Sequence, residues 1–142
     1  MRLPYIVATA LYCGFIWMLS ADTSPPNFDL WLPVAGLDKG CHSLLYAVLG
    51  AIVSVGMRRS GRAVSTWAQC FVPILFATIY GITDEIHQLY VPNRMFDLGD
   101  LLADLAGATM AQTGLCYAYW RGAAQAQKDT KDVRDERVRA ES

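Results

Sequence analysis

Residues 83–104, TDEIHQLYVPNRMFDLGDLLAD, lie between two strongly apolar runs of the sequence. One run, residues 64–82, ends directly before this stretch, and the other begins within it, at about residue 98. The stretch carries the polar side chains Asp84, Glu85, His87, Gln88, Arg94, Asp97, Asp100 and Asp104. Because ionisable groups are costly inside a membrane, such a cluster at the border of apolar runs predicts a functional site.

The apolar runs predict the fold, and they cover residues 3–20, 38–57, 64–82 and about 98–120. Each run is close to the ~20 residues that an α-helix needs to cross a hydrocarbon core. We therefore expect an all-α protein, a polytopic membrane bundle of four transmembrane helices. A soluble helical bundle is the alternative, but its helices would carry a polar face. Segments such as YIVATALYCGFIWML (residues 5–19) have none.

The first apolar run admits a second interpretation. Arg2 followed by a long apolar segment also fits a secretory signal peptide. A cut after Ala21, however, would place Leu19 where a small residue is wanted. We therefore predict an uncleaved membrane helix at this position.

The charges are unevenly distributed along the chain. Residues 121–142 hold 11 of the 25 charged side chains and show no apolar face. We expect residues 1–120 to form the membrane domain and residues 121–142 to form a charged, disordered tail. The net charge of -1, without a basic stripe, predicts no nucleic-acid partner.

Basic residues predict the orientation in the membrane. Arg2, the basic loop at residues 58–62 and Arg121 fall on one side of a four-helix path. Lysine and arginine accumulate in cytoplasmic loops, so we expect both termini in the cytoplasm. The polar segment at residues 83–104 then lies at the outer face of the membrane.

Helical spacing predicts which polar side chains meet. Residues three or four apart share a helix face, which groups the polar residues into three stripes. The stripes are Asp38–His42–Tyr46, Asp84–His87–Gln88 and Asp97–Asp100–Asp104. The topology brings them to one membrane surface, with Arg94 on the loop between two of them. Three segments that converge at one depth indicate a site more strongly than any single motif.

Single members of this set have simpler explanations. Asp38 and Lys39 can anchor a helix at the interface, and Asp97 can cap a helix N-terminus. Arg94 can neutralise nearby acids, although its guanidinium also suits a phosphate or a carboxylate. Asp104 is harder to explain in this way, because it lies about one turn deeper, where an unpaired carboxylate is costly.

Two segments carry a family resemblance. DKGCHSLLYAVLG (residues 38–50) and DEIHQLYVPNRMFDLGDLLADLAGA (residues 84–108) resemble the signature segments of the VanZ-like membrane protein family. The pattern is D-K-x-x-H with a downstream tyrosine, then D-E-x-x-Q, P-x-R and D-x-x-x-[N/D]-x-x-G. The matching residues are Asp38, Lys39, His42, Tyr46, Asp84, Glu85, Gln88, Pro92, Arg94, Asp100, Asp104 and Gly107. Ser43 departs from the aromatic residue expected after the histidine.

The resemblance covers roughly residues 5–120. It implies a small multi-pass protein of the bacterial cell envelope, which we place in the inner (cytoplasmic) membrane with the lipid bilayer as its partner. The family's namesake is associated with low-level resistance to the glycopeptide teicoplanin. The resemblance supplies no reaction, and it does not establish resistance for this chain.

Two classes of function fit the polar segment. The first is binding of an envelope lipid headgroup or a glycopeptide-related ligand at the outer face. The second is a membrane-embedded hydrolase or transferase that acts on a lipid-linked envelope precursor, with His42 or Glu85 as general acid or base. Lys39 and Arg94 would then balance negative charge. We favour binding slightly, because the sequence contains no nucleophile motif, no H-E-x-x-H and no P-loop.

The candidate residues form two groups. The catalytic candidates are Asp38, Lys39, His42, Glu85, Arg94 and Asp100. The ligand-binding candidates are Tyr46, Asp84, His87, Gln88, Asp97 and Asp104. We expect no metal and no cofactor, because neither these residues nor the four isolated cysteines have a paired ligand spacing. A metal held by His42, His87 and the acids is the less favoured alternative, as is a proton relay, because the acids end at Asp104.

Overall fold

The computed structural model describes residues 1–22, 36–61, 64–92 and 94–140. Over these residues the chain forms four α-helices and no strand. In chain order the helices are α1 (Leu3–Ser20), α2 (Leu37–Arg58), α3 (Thr66–Gln88) and α4 (Leu98–Ala140). The prediction of an all-α protein with four helices is confirmed.

Three of these helices, α1, α2 and α3, are long and apolar enough to cross a membrane. Large apolar side chains such as Leu11, Met18 and Leu75 are exposed on them, as expected for surfaces that face lipid. Within the described residues α4 is not among the helices that reach this hydropathy. Passage of α4 through the bilayer therefore stays a prediction.

Local sequence explains where the helices begin. Pro4 stands in the first turn of α1. Backbone N–H groups in the first turn have no partner within the helix, so proline, which lacks an N–H, is tolerated there. The Ser65 hydroxyl caps α3 by accepting a hydrogen bond from the Ala68 N–H at 3.2 Å. Asp97 does the same for α4, since its Oδ1 accepts the Gly99 N–H at 2.7 Å.

The first compact unit, Met1–Gln112, packs its helices around a small core. Ile16, Tyr46, Leu49, Ala77 and Ala108 form that core and are all buried. Two tyrosines outside it fasten α1 to its neighbours: the Tyr12 hydroxyl donates to the Leu45 carbonyl at 3.2 Å, and the Tyr80 hydroxyl to the Cys13 carbonyl at 2.5 Å. The core therefore takes side chains from all four helices.

Small residues bring α4 close to α2. A Cβ atom added at Gly107 would overlap the carbonyl group of Ser43, so the two backbones touch at this point. Further along, Gly50 of α2 lies against Ala108 of α4. Close approach through small residues is the usual packing of membrane helices. It fixes the register between α2 and α4, and with it the polar pairs described below.

The second compact unit is Thr113–Ser142, the C-terminal part of the chain. From Tyr117 to Arg139 every side chain is exposed. The sequence led us to expect disorder after residue 120, whereas the structure continues α4 to Ala140. The physical reason is that Ala, Gln, Lys, Arg and Glu all favour helix, and pairs such as Gln125–Asp129, 2.7 Å apart, add support. The domain boundary after residue 120 stays a prediction.

Candidate functional site

Lys39, in the first turn of α2, joins α2 to the start of α4. Its Nζ donates to Asp97 Oδ2 at 2.6 Å and to Asp100 Oδ1 at 2.8 Å, and Asp38 Oδ2 lies 3.7 Å away. The ammonium lowers the pKa of the Asp97 carboxyl, which precedes α4, because it hydrogen bonds to the charged form. Lys39 is thus engaged by two carboxylates of a different helix.

His42 faces Asp104 one turn further into the bundle. His42 Nδ1 lies 3.1 Å from Asp104 Oδ1, and His42 Nε2 lies 3.9 Å from Asp100 Oδ2. The Asp104 residue is 1% exposed, so this carboxylate belongs to the interior of the bundle. The tautomer with its proton on Nδ1 donates to Asp104 and leaves Nε2 available as a base or a ligand.

Glu85 of α3 connects that helix to the segment that leads into α4. It is fully buried, and its Oε2 accepts the backbone N–H of Asp97 at 2.9 Å. The Gln88 amide nitrogen lies 3.5 Å from Glu85 Oε1. Within the described residues no Lys, Arg or His nitrogen forms an ion pair with Glu85.

A cavity of about 370 Å³ lies among α1, α2 and α3 at the end of the bundle where these polar residues gather. We call this end of the bundle the polar end. Polar side chains on the cavity wall include His42, Tyr46, Asp84, Gln88 and Arg94, with Asp38 beside them. The apolar part of the wall comes from Ile16, Leu19, Leu44 and Leu45. The cavity therefore combines an apolar surface with a few charged groups, as small-molecule sites do.

Arg94 lines this cavity from the loop before α4. Its Nε donates to the backbone carbonyl of Asp22 at 3.4 Å. In the described part of the chain, no carboxylate forms an ion pair with its guanidinium. In this structure Lys39, and not Arg94, pairs with the acids Asp97 and Asp100.

His87 lies apart from the group around His42. Its ring stacks on Trp17 of α1, with centroids 3.7 Å apart and an interplanar angle of 22°. Asp84, one turn earlier on α3, lines the cavity together with His42. Residues three apart share a helix face, so helical spacing alone did not separate His87 from Asp84.

Ser20 and Asp22, at the end of α1, are cavity residues that the sequence reasoning missed. Ser20 is buried beside Asp84. A signal was present in the sequence, because the first apolar run ends here, at the same membrane depth as the three stripes. Cys41 also lines the cavity, and its isolated position in the sequence gave no sign of this.

The comparison with known families covers the same residues. The family model described as VanZ/LLP1 matches residues 7–119, which include every residue of the polar end named above. No curated protein and no solved structure matches the chain. The match spans most of the sequence, and three helices are able to cross a bilayer. The chain is therefore a membrane protein that belongs to the VanZ/LLP1 family.

Proposed function

We propose that the cavity at the polar end binds a phosphorylated lipid headgroup of the bacterial envelope. Arg94 is the observation that carries this proposal. Its guanidinium lines the cavity and pairs with no carboxylate among the described residues, whereas Lys39 is held by Asp97 and Asp100. A guanidinium presents a planar fork of donors that matches phosphate oxygens. Arg94 is thus available for an anionic ligand.

The apolar wall supports a lipid rather than a soluble anion. Leu19 and Leu44 line the cavity and are 45% and 67% exposed, on helices that are apolar enough to face hydrocarbon. A lipid can therefore leave its tail in the bilayer while its headgroup enters the cavity. Small-molecule sites span roughly 300–1,000 Å³, so a cavity of about 370 Å³ suits a headgroup better than a whole glycopeptide.

Arg94→Lys is expected to weaken binding of a phosphorylated lipid by about tenfold, because an ammonium does not form the forked contact. The measurement is thermal denaturation of the detergent-purified protein during titration with farnesyl phosphate. Farnesol, which has the same tail without the phosphate, is the matched ligand. Arg59→Lys, an exposed arginine that follows α2 at the other end, is the matched variant and should bind like the wild type. Equal affinity of Arg94→Lys and wild type, or equal binding of farnesol, would contradict the proposal.

A membrane-embedded hydrolase or transferase acting on a lipid-linked envelope precursor is the second candidate. His42 favours it, because its ring lines the cavity while the buried Asp104 holds Nδ1. A histidine oriented in this way is able to act as a general base. Release of inorganic phosphate from farnesyl phosphate during the titration would favour this candidate over binding alone.

We also propose that the protein spans the bacterial inner membrane four times, with both termini in the cytoplasm. A topology reporter fused after Gly61 is expected to read cytoplasmic, because the basic loop favours that side. A reporter near Asn93 should read external, and one after Arg121 should read cytoplasmic. The last fusion is decisive, since an external signal there would mean three spans and would contradict the proposal.

A further inference from the structure

We infer that His42, Glu85 and Asp100 form a binding site for one divalent transition-metal ion. The three residues come from α2, α3 and α4, and one ligand atom of each lies within 4.8 Å of the other two. Sequence spacing gave no sign of this site, because each helix supplies a single ligand. The inference goes beyond the proposed lipid binding and stands whether or not the cavity takes a lipid.

Each of the three residues uses one polar atom for a contact with a neighbouring residue, which leaves its other polar atom for the metal. These contacts are His42 Nδ1 with Asp104 Oδ1 at 3.1 Å, Asp100 Oδ1 with Lys39 Nζ at 2.8 Å, and Glu85 Oε2 with the Asp97 N–H at 2.9 Å. The atoms left toward the centre include His42 Nε2 and Asp100 Oδ2, which are 3.9 Å apart. Metal-binding histidines commonly donate their other N–H to a carboxylate, which fixes the ring and raises its basicity. The surroundings of this site therefore have the arrangement that a metal centre needs.

The charge balance also points to a cation. Glu85 is fully buried, and within the described residues no Lys, Arg or His nitrogen pairs with it. A buried carboxylate without a counter-charge is strongly unfavourable. A divalent ion between Glu85 and Asp100 supplies positive charge where the helices do not.

The ligand set selects the class of ion. One imidazole nitrogen with two carboxylate oxygens suits Zn²⁺, Co²⁺, Fe²⁺ or Mn²⁺, whereas Mg²⁺ and Ca²⁺ prefer oxygen alone. Bonds of about 2.1 Å to Zn²⁺ require the three ligand atoms to draw together by roughly 1 Å. Three protein ligands leave a position open for water or for an oxygen of a bound ligand. When the metal is bound, His42 is a ligand and does not act as a general base. Metal binding therefore decides between the two roles proposed for His42.

The test uses the purified full-length protein in detergent, with any affinity tag removed, after treatment with a chelator. Co²⁺ is the probe, because its visible absorption reports coordination directly. We expect one Co²⁺ per chain, a visible band that Zn²⁺ abolishes by displacement, and a higher thermal midpoint. Glu85→Gln and Asp100→Asn should each weaken Co²⁺ binding by at least about tenfold, since even residues behind the ligands change metal affinity by 10–100-fold.

Asp132→Asn is the matched control, because it removes an exposed carboxylate from the second compact unit, outside the unit that holds the three ligands. It should bind Co²⁺ like the wild type. Cys41→Ser tests the thiol next to His42. The inference is overturned if the wild type takes up no stoichiometric Co²⁺, if both ligand variants bind it unchanged, or if a sulfur–cobalt absorption disappears in Cys41→Ser. The stoichiometry of Co²⁺ binding to the wild type decides whether the metal site exists, even where a ligand variant fails to fold. Titration with farnesyl phosphate after chelation tests lipid binding separately from metal binding.

Discussion

Asp104→Leu is expected to destabilise the protein by about 3 kcal/mol, the range found when one partner of a buried pair is removed. Asp104 is 1% exposed and its Oδ1 lies 3.1 Å from His42 Nδ1. Leucine offers no acceptor, so the partly buried imidazole N–H loses this partner. The measurement is the midpoint of heat-induced aggregation in detergent, taken after chelation so that metal occupancy does not contribute.

Asp104→Asn is the matched variant for this experiment. Asparagine keeps the shape of the side chain and one acceptor oxygen, and the family pattern admits Asn at this position. We expect it to lose only about 1 kcal/mol, the net worth of a typical hydrogen bond. If the leucine variant matched the wild type in abundance and midpoint, Asp104 would contribute nothing to the polar network.

Gly107→Ala is expected to have the second large effect, a loss of about 3 kcal/mol, at the upper end of the usual range for overpacking. The added Cβ meets the carbonyl group of Ser43, which is backbone and has no rotamer through which to move aside. The helices α2 and α4 must separate, and the contacts of Lys39 and His42 with α4 lengthen as they do. Detergent-extractable yield and thermal midpoint measure the effect.

Gly114→Ala is the control on the same helix. Among the described residues, no atom outside the chain neighbours and the backbone of its own helix lies within 4 Å of a Cβ built at Gly114, so alanine meets no obstacle from them. Alanine also favours helix over glycine by about 1 kcal/mol, which makes the expected change neutral or stabilising. Equal behaviour of the two variants would show that α2 and α4 do not depend on close backbone contact at Gly107.

The helices were predictable because a span needs ~20 apolar residues, and the sequence is divided into runs of that length. Helical spacing also grouped Asp97, Asp100 and Asp104 on one face. It did not identify their partners. Residues that share a helix face show which way the face points, but they do not show which residues of the neighbouring helix lie opposite. Lys39 meets Asp97 and Asp100, while His42 meets Asp104. These pairings depend on the contact of Gly107 with Ser43, which no local pattern encodes.

Two further features required the assembled bundle. His42, Glu85 and Asp100 converge from three helices, so the absence of a paired ligand spacing led us to expect no metal. Arg94 and Lys39 looked equivalent in sequence, since both are cations near the same acids. Their surroundings separate them: Lys39 is engaged by carboxylates, whereas Arg94 lines the cavity. The assignment of individual roles at this site stays a prediction.

The bridge from Lys39 to Asp97 and Asp100 bears on how the chain is made. For α4 to cross the bilayer as we propose, the translocon has to release a segment with carboxylates in its first turns, and charged side chains oppose insertion of a helix. When α4 leaves the ribosome, α2 and α3 have already been synthesised. Lys39 on α2 and Glu85 on α3 therefore offer contacts to the incoming segment before it meets lipid. Because the chain is made from the N- to the C-terminus, α2 and α3 are in place before α4. They are then able to hold α4 in the membrane, although α4 is only marginally apolar.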